Sequence, residues 1–178
     1  MRATNILVDH MGSEFARLSP LLRQFHAGRK RLTGVCCVQR GNLFAKIICE
    51  LFKFPRQGEQ VPLSVDCEHT EQFMVWQRDF DGLKMESRFA KRGEFLVERL
   101  NGLSLYFKAV EKDGALHFEF YKTRFMGIPI PRFVCPRILA YENACDGRYR
   151  FMVRVHMLFV GMVLSYWGQL DLQDPEEA

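Results

Sequence analysis

Four dipeptides, Asp81-Gly82, Asn101-Gly102, Asp113-Gly114 and Asp146-Gly147, constrain this chain more than any other feature. A tight two-residue hairpin of type I′ needs positive φ at both central positions, which Asn, Asp and Gly tolerate and most residues resist. The segments around these turns alternate apolar and polar residues with a period of two, the mark of a half-buried strand. Strands are expected at 30–39, 61–68, 72–79, 84–90, 95–99, 103–111, 116–125, 139–145, 149–157 and 164–172. Short strands joined by tight turns form an antiparallel meander rather than parallel β-α-β units. A sheet that wide curls into a barrel or splits into packed layers. The expected fold is therefore α+β and mostly β: a strongly curved antiparallel sheet or barrel of about ten strands, with two short helices.

The first helix is expected near the N-terminus, where Phe15, Leu18, Leu21, Leu22 and Phe25 recur at helical spacing and Ser13 is placed to cap. Pro20 predicts either a kink or a fresh start near Ser19, and Gly28 suits the helix end. The second is expected over 42–52, between the first two long strands. Asn42 can cap it, Pro55 stops it, and Leu43, Phe44, Ile47, Ile48, Leu51 and Phe52 make one broad apolar face. It should cover one opening of the curved sheet. The three prolines of GIPIPRFVCP (127–136) exclude a central strand and predict a crossover loop. The expected layout is an N-terminal extension (1–12), a single curved-sheet domain (13–172) and an acidic tail (173–178).

Charge and composition narrow the function classes. The net charge of +4 is spread along the chain, and no RNA-binding aromatic motif, helix-turn-helix or zinc-finger spacing accompanies it, so nucleic acid is not an expected partner. The apolar stretch 157–167 is 11 residues long, short of the roughly 20 that a spanning helix needs, so no transmembrane segment is expected. Six cysteines occur without a C-x-x-C pair, and the N-terminus carries no export signal. Reduced thiols and a cytoplasmic location follow as the simplest expectation. Cys67 and His69 form a C-x-H pair with no second pair to complete a metal site, so no metal and no cofactor are expected.

The informative residues are polar groups on apolar faces. Trp76, Arg78 and Phe80 share one face of a strand, as do Met85, Ser87 and Phe89 on the next; Glu98 lies between Leu96 and Leu100, and Glu142 between Ala140 and Ala144. A buried charge is costly unless paired, so Arg78 should meet Glu98, Glu142 or a bound anion. Two readings follow: an internal ion pair with Ser87 hydrogen-bonded to it, or a cavity lined by Trp76, Phe80, Met85, Phe89 and Leu105 in which Arg78 anchors an anionic head group. No catalytic constellation is found among the five scattered histidines, so an enzyme is not expected, and Glu98 is the single acid–base candidate. Arg148, Arg150, Arg154 and His156 alternate with Tyr149, Phe151, Val153 and Val155, giving either a solvated outer face or a surface for anions.

Several pieces in order resemble a bacterial family, the domain of unknown function numbered 4166 (DUF4166). They are LSPLLRQFH (18–26), TGVCCVQRGNLFAKIICELFKFP (33–55), VPLSV (61–65), the W-x-R-x-F of Trp76, Arg78 and Phe80, the Ser87 strand, ERLNGLSL (98–105), MGIPIPRF (126–133), YENACDGRYRF (141–151) and YWGQL (166–170). The last looks like the family's Tyr-x-Gly-x-Leu ending, although His156-Met157 stands where a His-Pro turn is usual. The resemblance implies no activity. Relatives joined to a nucleotide-binding oxidoreductase domain imply an accessory module, hence an oxidoreductase partner protein as the alternative to a small hydrophobic or anionic ligand.

Overall fold

The computed structural model describes residues 5–173, so the expected acidic tail beyond 173 lies outside the described residues. Eleven strands form one antiparallel sheet: β1 (Arg29–Arg40), β2 (Gly58–His69), β3 (Met74–Phe80), β4 (Leu83–Arg92), β5 (Phe95–Leu100), β6 (Leu103–Lys112), β7 (Ala115–Phe125), β8 (Ile128–Pro129), β9 (Arg137–Cys145), β10 (Arg148–Met157) and β11 (Gly161–Gln173). Neighbours run β6-β5-β4-β3-β2-β1-β11-β10-β9-β7-β8, and β6 also pairs with β7. That last pairing closes ten strands into a barrel, leaving β8 as a short addition on the edge of β7. Both central residues of all four expected hairpin turns take positive φ, for example 48° at Asn101 and 81° at Gly102.

Barrel closure passes through β1 and β11, the strands from opposite ends of the described chain, paired from Arg31↔Gln173 to Arg40↔Leu164. Two glycines let these backbones nest. A Cβ on Gly34 would meet the Gln169 carbonyl oxygen at 2.5 Å, and one on Gly168 would meet that of Val35 at 2.4 Å. Neither site has room for a side chain.

The two ends of the barrel are finished differently. At one, α1 (Ile6–Met11), a 3₁₀ turn (Gly12–Arg17) and α2 (Pro20–Phe25) form a plug. Pro20 takes the first helical position of α2, so the chain restarts rather than kinks there. Of the stretch expected to be an extension, residues 5–12 are part of this plug. Asn5 caps α1 by accepting from Leu7 and Val8 N–H, donates to the His26 carbonyl at 2.7 Å, and helps hold Ile6 and Leu7 in the core. Six residues of helix gave too short a period to stand out in the sequence.

At the other end lies α3 (Leu43–Leu51), with Asn42 as its cap. Its expected single apolar face is divided. Ala45 and Cys49 are buried and Ile48 is partly so, whereas Leu43, Phe44, Ile47 and Leu51 point outward. A helix laid across a barrel end rests on the sheet with a narrow stripe, and small residues suit that stripe best. Segment 127–136, expected to cross over, instead joins β7 to its antiparallel neighbour β9, and it contains the two residues of β8. β7 pairs with β9 only over residues 116–119 and with β8 over 124–125, so the seam splays toward this end and the connection fills it. Among the described residues no helix is long and apolar enough to cross a membrane.

Candidate functional site

The barrel interior is hollow. A cavity of about 250 Å³ is lined by apolar and aromatic side chains from nearly every strand, with Arg78, Glu98 and Glu142 as the charged groups among its described lining. Similar apolar walls around about 150 Å³ suffice to admit benzene.

Alternation on three neighbouring strands builds the first polar group. Met74, Trp76, Arg78 and Phe80 of β3 all face inward, as do Met85, Ser87 and Phe89 of β4. Ser87 stands opposite Trp76, and Glu98 of β5 opposite Phe89, so Arg78, Ser87 and Glu98 run diagonally across the sheet. Arg78 Nη1 donates to Ser87 Oγ at 2.7 Å, and Ser87 donates to Glu98 Oε1 at 2.5 Å. The direct approach of Arg78 Nη2 to Glu98 is 3.8 Å, an ion pair without a hydrogen bond. The guanidinium carbon also sits 5.0 Å from the centre of the Trp76 ring. Arg78 therefore has an acid for a neighbour and also lines the cavity. The Trp76 indole N–H has no acceptor among the described residues.

The second polar group forms where the plug meets the barrel floor. His69 ends β2, and its Nδ1 lies 3.2 Å from the Gly28 carbonyl oxygen. His26 follows α2, with Nδ1 3.0 Å from His69 Nε2 and Nε2 2.8 Å from Glu142 Oε2. Burial, then the neighbouring His26, pushes the His69 pKa down to about 3, so its ring is neutral. A carbonyl only accepts, so His69 Nδ1 carries the hydrogen and its Nε2 must accept from His26 Nδ1. One proton is therefore shared between His26 Nε2 and Glu142, and the pair is neutral overall wherever that proton sits. Burial, and then Glu142, push the nearby Tyr149 hydroxyl well above its ordinary pKa. Burial likewise raises Tyr166 to about 12, against the pull of Arg78.

Of the residues singled out from the sequence, Trp76, Arg78, Met85, Phe89, Leu105, Glu98 and Glu142 line the cavity. Phe80 and Ser87 do not. Phe80 packs edge-on against Tyr166, ring centres 5.5 Å apart, and Ser87 is wholly enclosed between Arg78 and Glu98. Alternation assigns a face but not reach: Met85 and Phe89 on either side of Ser87 extend to the cavity, whereas the short Ser87 side chain ends at its hydrogen-bond partners. Glu142 was a candidate partner for Arg78 and pairs instead with His26. His26, His69 and Tyr149 were missed. The inward alternation of Leu63, Val65, Cys67 and His69 marked His69 as buried, whereas nothing near His26 in sequence indicated its neighbours. Both ring nitrogens of His69 are engaged within the protein, by His26 and the Gly28 carbonyl. On the outer stripe, Arg148 is held by Asp171 through two bonds of 2.8 Å and Arg150 pairs with Asp146.

A likeness exists to a solved structure, a protein of unknown function from the DUF3598 family of Nostoc punctiforme, at 10% identity and a TM-score of 0.44. It covers 81% of this chain and 46% of that one, so the chain spans about half the length of that protein. No curated protein matches it in sequence. The profile of a domain of unknown function, DUF4166, matches residues 18–170. With nearly all of its length matched, the chain belongs to the DUF4166 family.

Proposed function

We propose that this protein is a non-catalytic carrier for a small hydrophobic or amphipathic ligand with an anionic head group, held inside the barrel with its head at Arg78. One observation supports this above the others. An apolar cavity keeps a guanidinium on its wall, and that guanidinium has only one hydrogen-bonded side-chain partner, Ser87, among the described residues. A guanidinium has five donors and matches a carboxylate through two parallel bonds. Trp76 adds an unmet N–H on the same wall. Glu98 competes for the guanidinium and is the natural control.

Native mass spectrometry of the protein incubated with medium- and long-chain fatty acids, and with the matching alcohols, tests the reading. Retained acids in preference to alcohols are expected. Glu98→Gln removes the competing charge and should tighten acid binding about tenfold, or ~1.4 kcal/mol. Arg78→Met should erase the preference for acids. A folded wild-type protein that retains neither class, or Glu98→Gln and wild type binding alike, would refute the proposal.

A further inference from the structure

Ten of the fourteen exposed large apolar side chains among the described residues belong to three segments at the α3 end of the barrel. α3 presents Leu43, Phe44, Ile47 and Leu51, between 57% and 74% exposed. The β10–β11 turn presents Leu158 and Phe159, and the stretch from the end of β7 toward β9 presents Phe125, Met126, Ile128 and Phe133. An apolar surface of this extent marks a site of interaction.

Two of these segments also contribute to the cavity wall. Ile48 and Phe52 reach inward from α3 and its end, and Ile130 and Val134 do so from the connection to β9. Whatever covers this rim therefore also covers the approach to the cavity. The plug end contrasts with it, carrying ion pairs such as Lys91–Asp9, Arg17–Glu111 and Lys108–Glu94.

Charge decides which partner fits. Lys46, Lys53, Arg132 and Arg137 are exposed on these segments or beside them, and none forms an ion pair with an acid among the described residues. Glu50, the acid of α3, is taken by Arg40 at 2.5 Å. Leu, Ile and Phe interleaved with unpaired Lys and Arg are what an anionic bilayer surface attracts: the apolar groups enter the headgroup layer and the cations meet lipid phosphates. A protein partner of matching size places its charges at the margin of an apolar centre. Here Lys46 lies between Phe44 and Ile47 in sequence, and Arg132 adjoins Phe133.

We infer that the α3 end docks on an anionic lipid bilayer, so that a membrane-dissolved amphiphile enters the barrel without crossing water. The route of entry rests on the carrier reading above; the docking rests on a separate set of residues. The test is co-sedimentation with vesicles of phosphatidylcholine alone and of phosphatidylcholine mixed with phosphatidylglycerol, with Arg78→Met run beside wild type. Binding to the mixed vesicles is expected, lost at high salt, and reduced about fivefold for each cation removed in Lys46→Gln and Arg132→Gln. Phe44→Ser combined with Phe159→Ser should abolish it at unchanged melting temperature, since both side chains lie in solvent. If the folded protein ignores phosphatidylglycerol vesicles yet still retains fatty acids, the docking inference is wrong and the carrier reading survives. If vesicles bind Arg78→Met and wild type equally while neither retains an acid, docking stands and the carrier reading falls. If light scattering finds a dimer that the two serine substitutions dissolve, with vesicle binding unaffected, the rim is an interface between copies and the inference is overturned.

Discussion

At the scale of single residues, the floor of the cavity depends on where protons sit. His69 ordinarily titrates near 6.5 and inside the fold near 3, so between those values the unfolded chain holds a proton that the native one lacks. Its contribution to stability is complete above about pH 6.5 and is lost as the pH falls toward 3. Urea unfolding across that window should show stability dropping by up to about 1.4 kcal/mol per pH unit from this group. His69→Asn keeps a donor and an acceptor but does not titrate, and should flatten the curve there. An unchanged slope in the variant would show that the titration belongs to other groups. Arg78 also bears on stability. Removing it strands Glu98 beside an apolar cavity, so Arg78→Met should also lower stability, by about 3 kcal/mol, measurable by denaturant titration without ligand.

At the scale of elements, close contacts decide what each segment tolerates. Gly168→Ala on β11 drives a methyl group onto the Val35 carbonyl, backbone against backbone, in a strand whose partner cannot shift without opening the barrel. A loss of about 1–3 kcal/mol is expected, read from the urea midpoint. α1 is tested by Leu7→Ala. Leu7 is fully buried, so its truncation should cost about 2–5 kcal/mol; a cost below half a kcal/mol would mean that the first helix is a loose extension after all. α3 is the opposite case, a helix whose largest side chains are spent on solvent. Helical periodicity locates an apolar stripe but does not tell which side the sheet will meet, and a helix apolar on two sides defeats the method.

For the whole molecule, closure is the governing fact. Most pairings join neighbours in sequence, the β6–β7 hairpin included, but β1–β11 brings the first and last strands together and closes the open sheet into a barrel. Such non-local pairing costs loop entropy before it is rewarded. Refolding followed by Trp76 and Trp167 fluorescence should therefore fall in the slow range, roughly milliseconds to seconds. Closure also creates the cavity, because ten strands enclose more volume than these side chains fill.

What the amino-acid sequence determined by itself was local. Turn dipeptides demand positive φ, alternation demands two faces, and together they placed ten strands, with Trp76, Arg78 and Glu98 on inward faces. Tertiary structure alone decided which inward residues meet. The joining of Glu142 to His26 across 116 positions, the packing of Phe80 behind the cavity wall, and the outward turn of Phe44 depend on how far around and along the barrel each residue lies. Period and propensity act over a few residues and carry no measure of that distance. Closure of the sheet sets it.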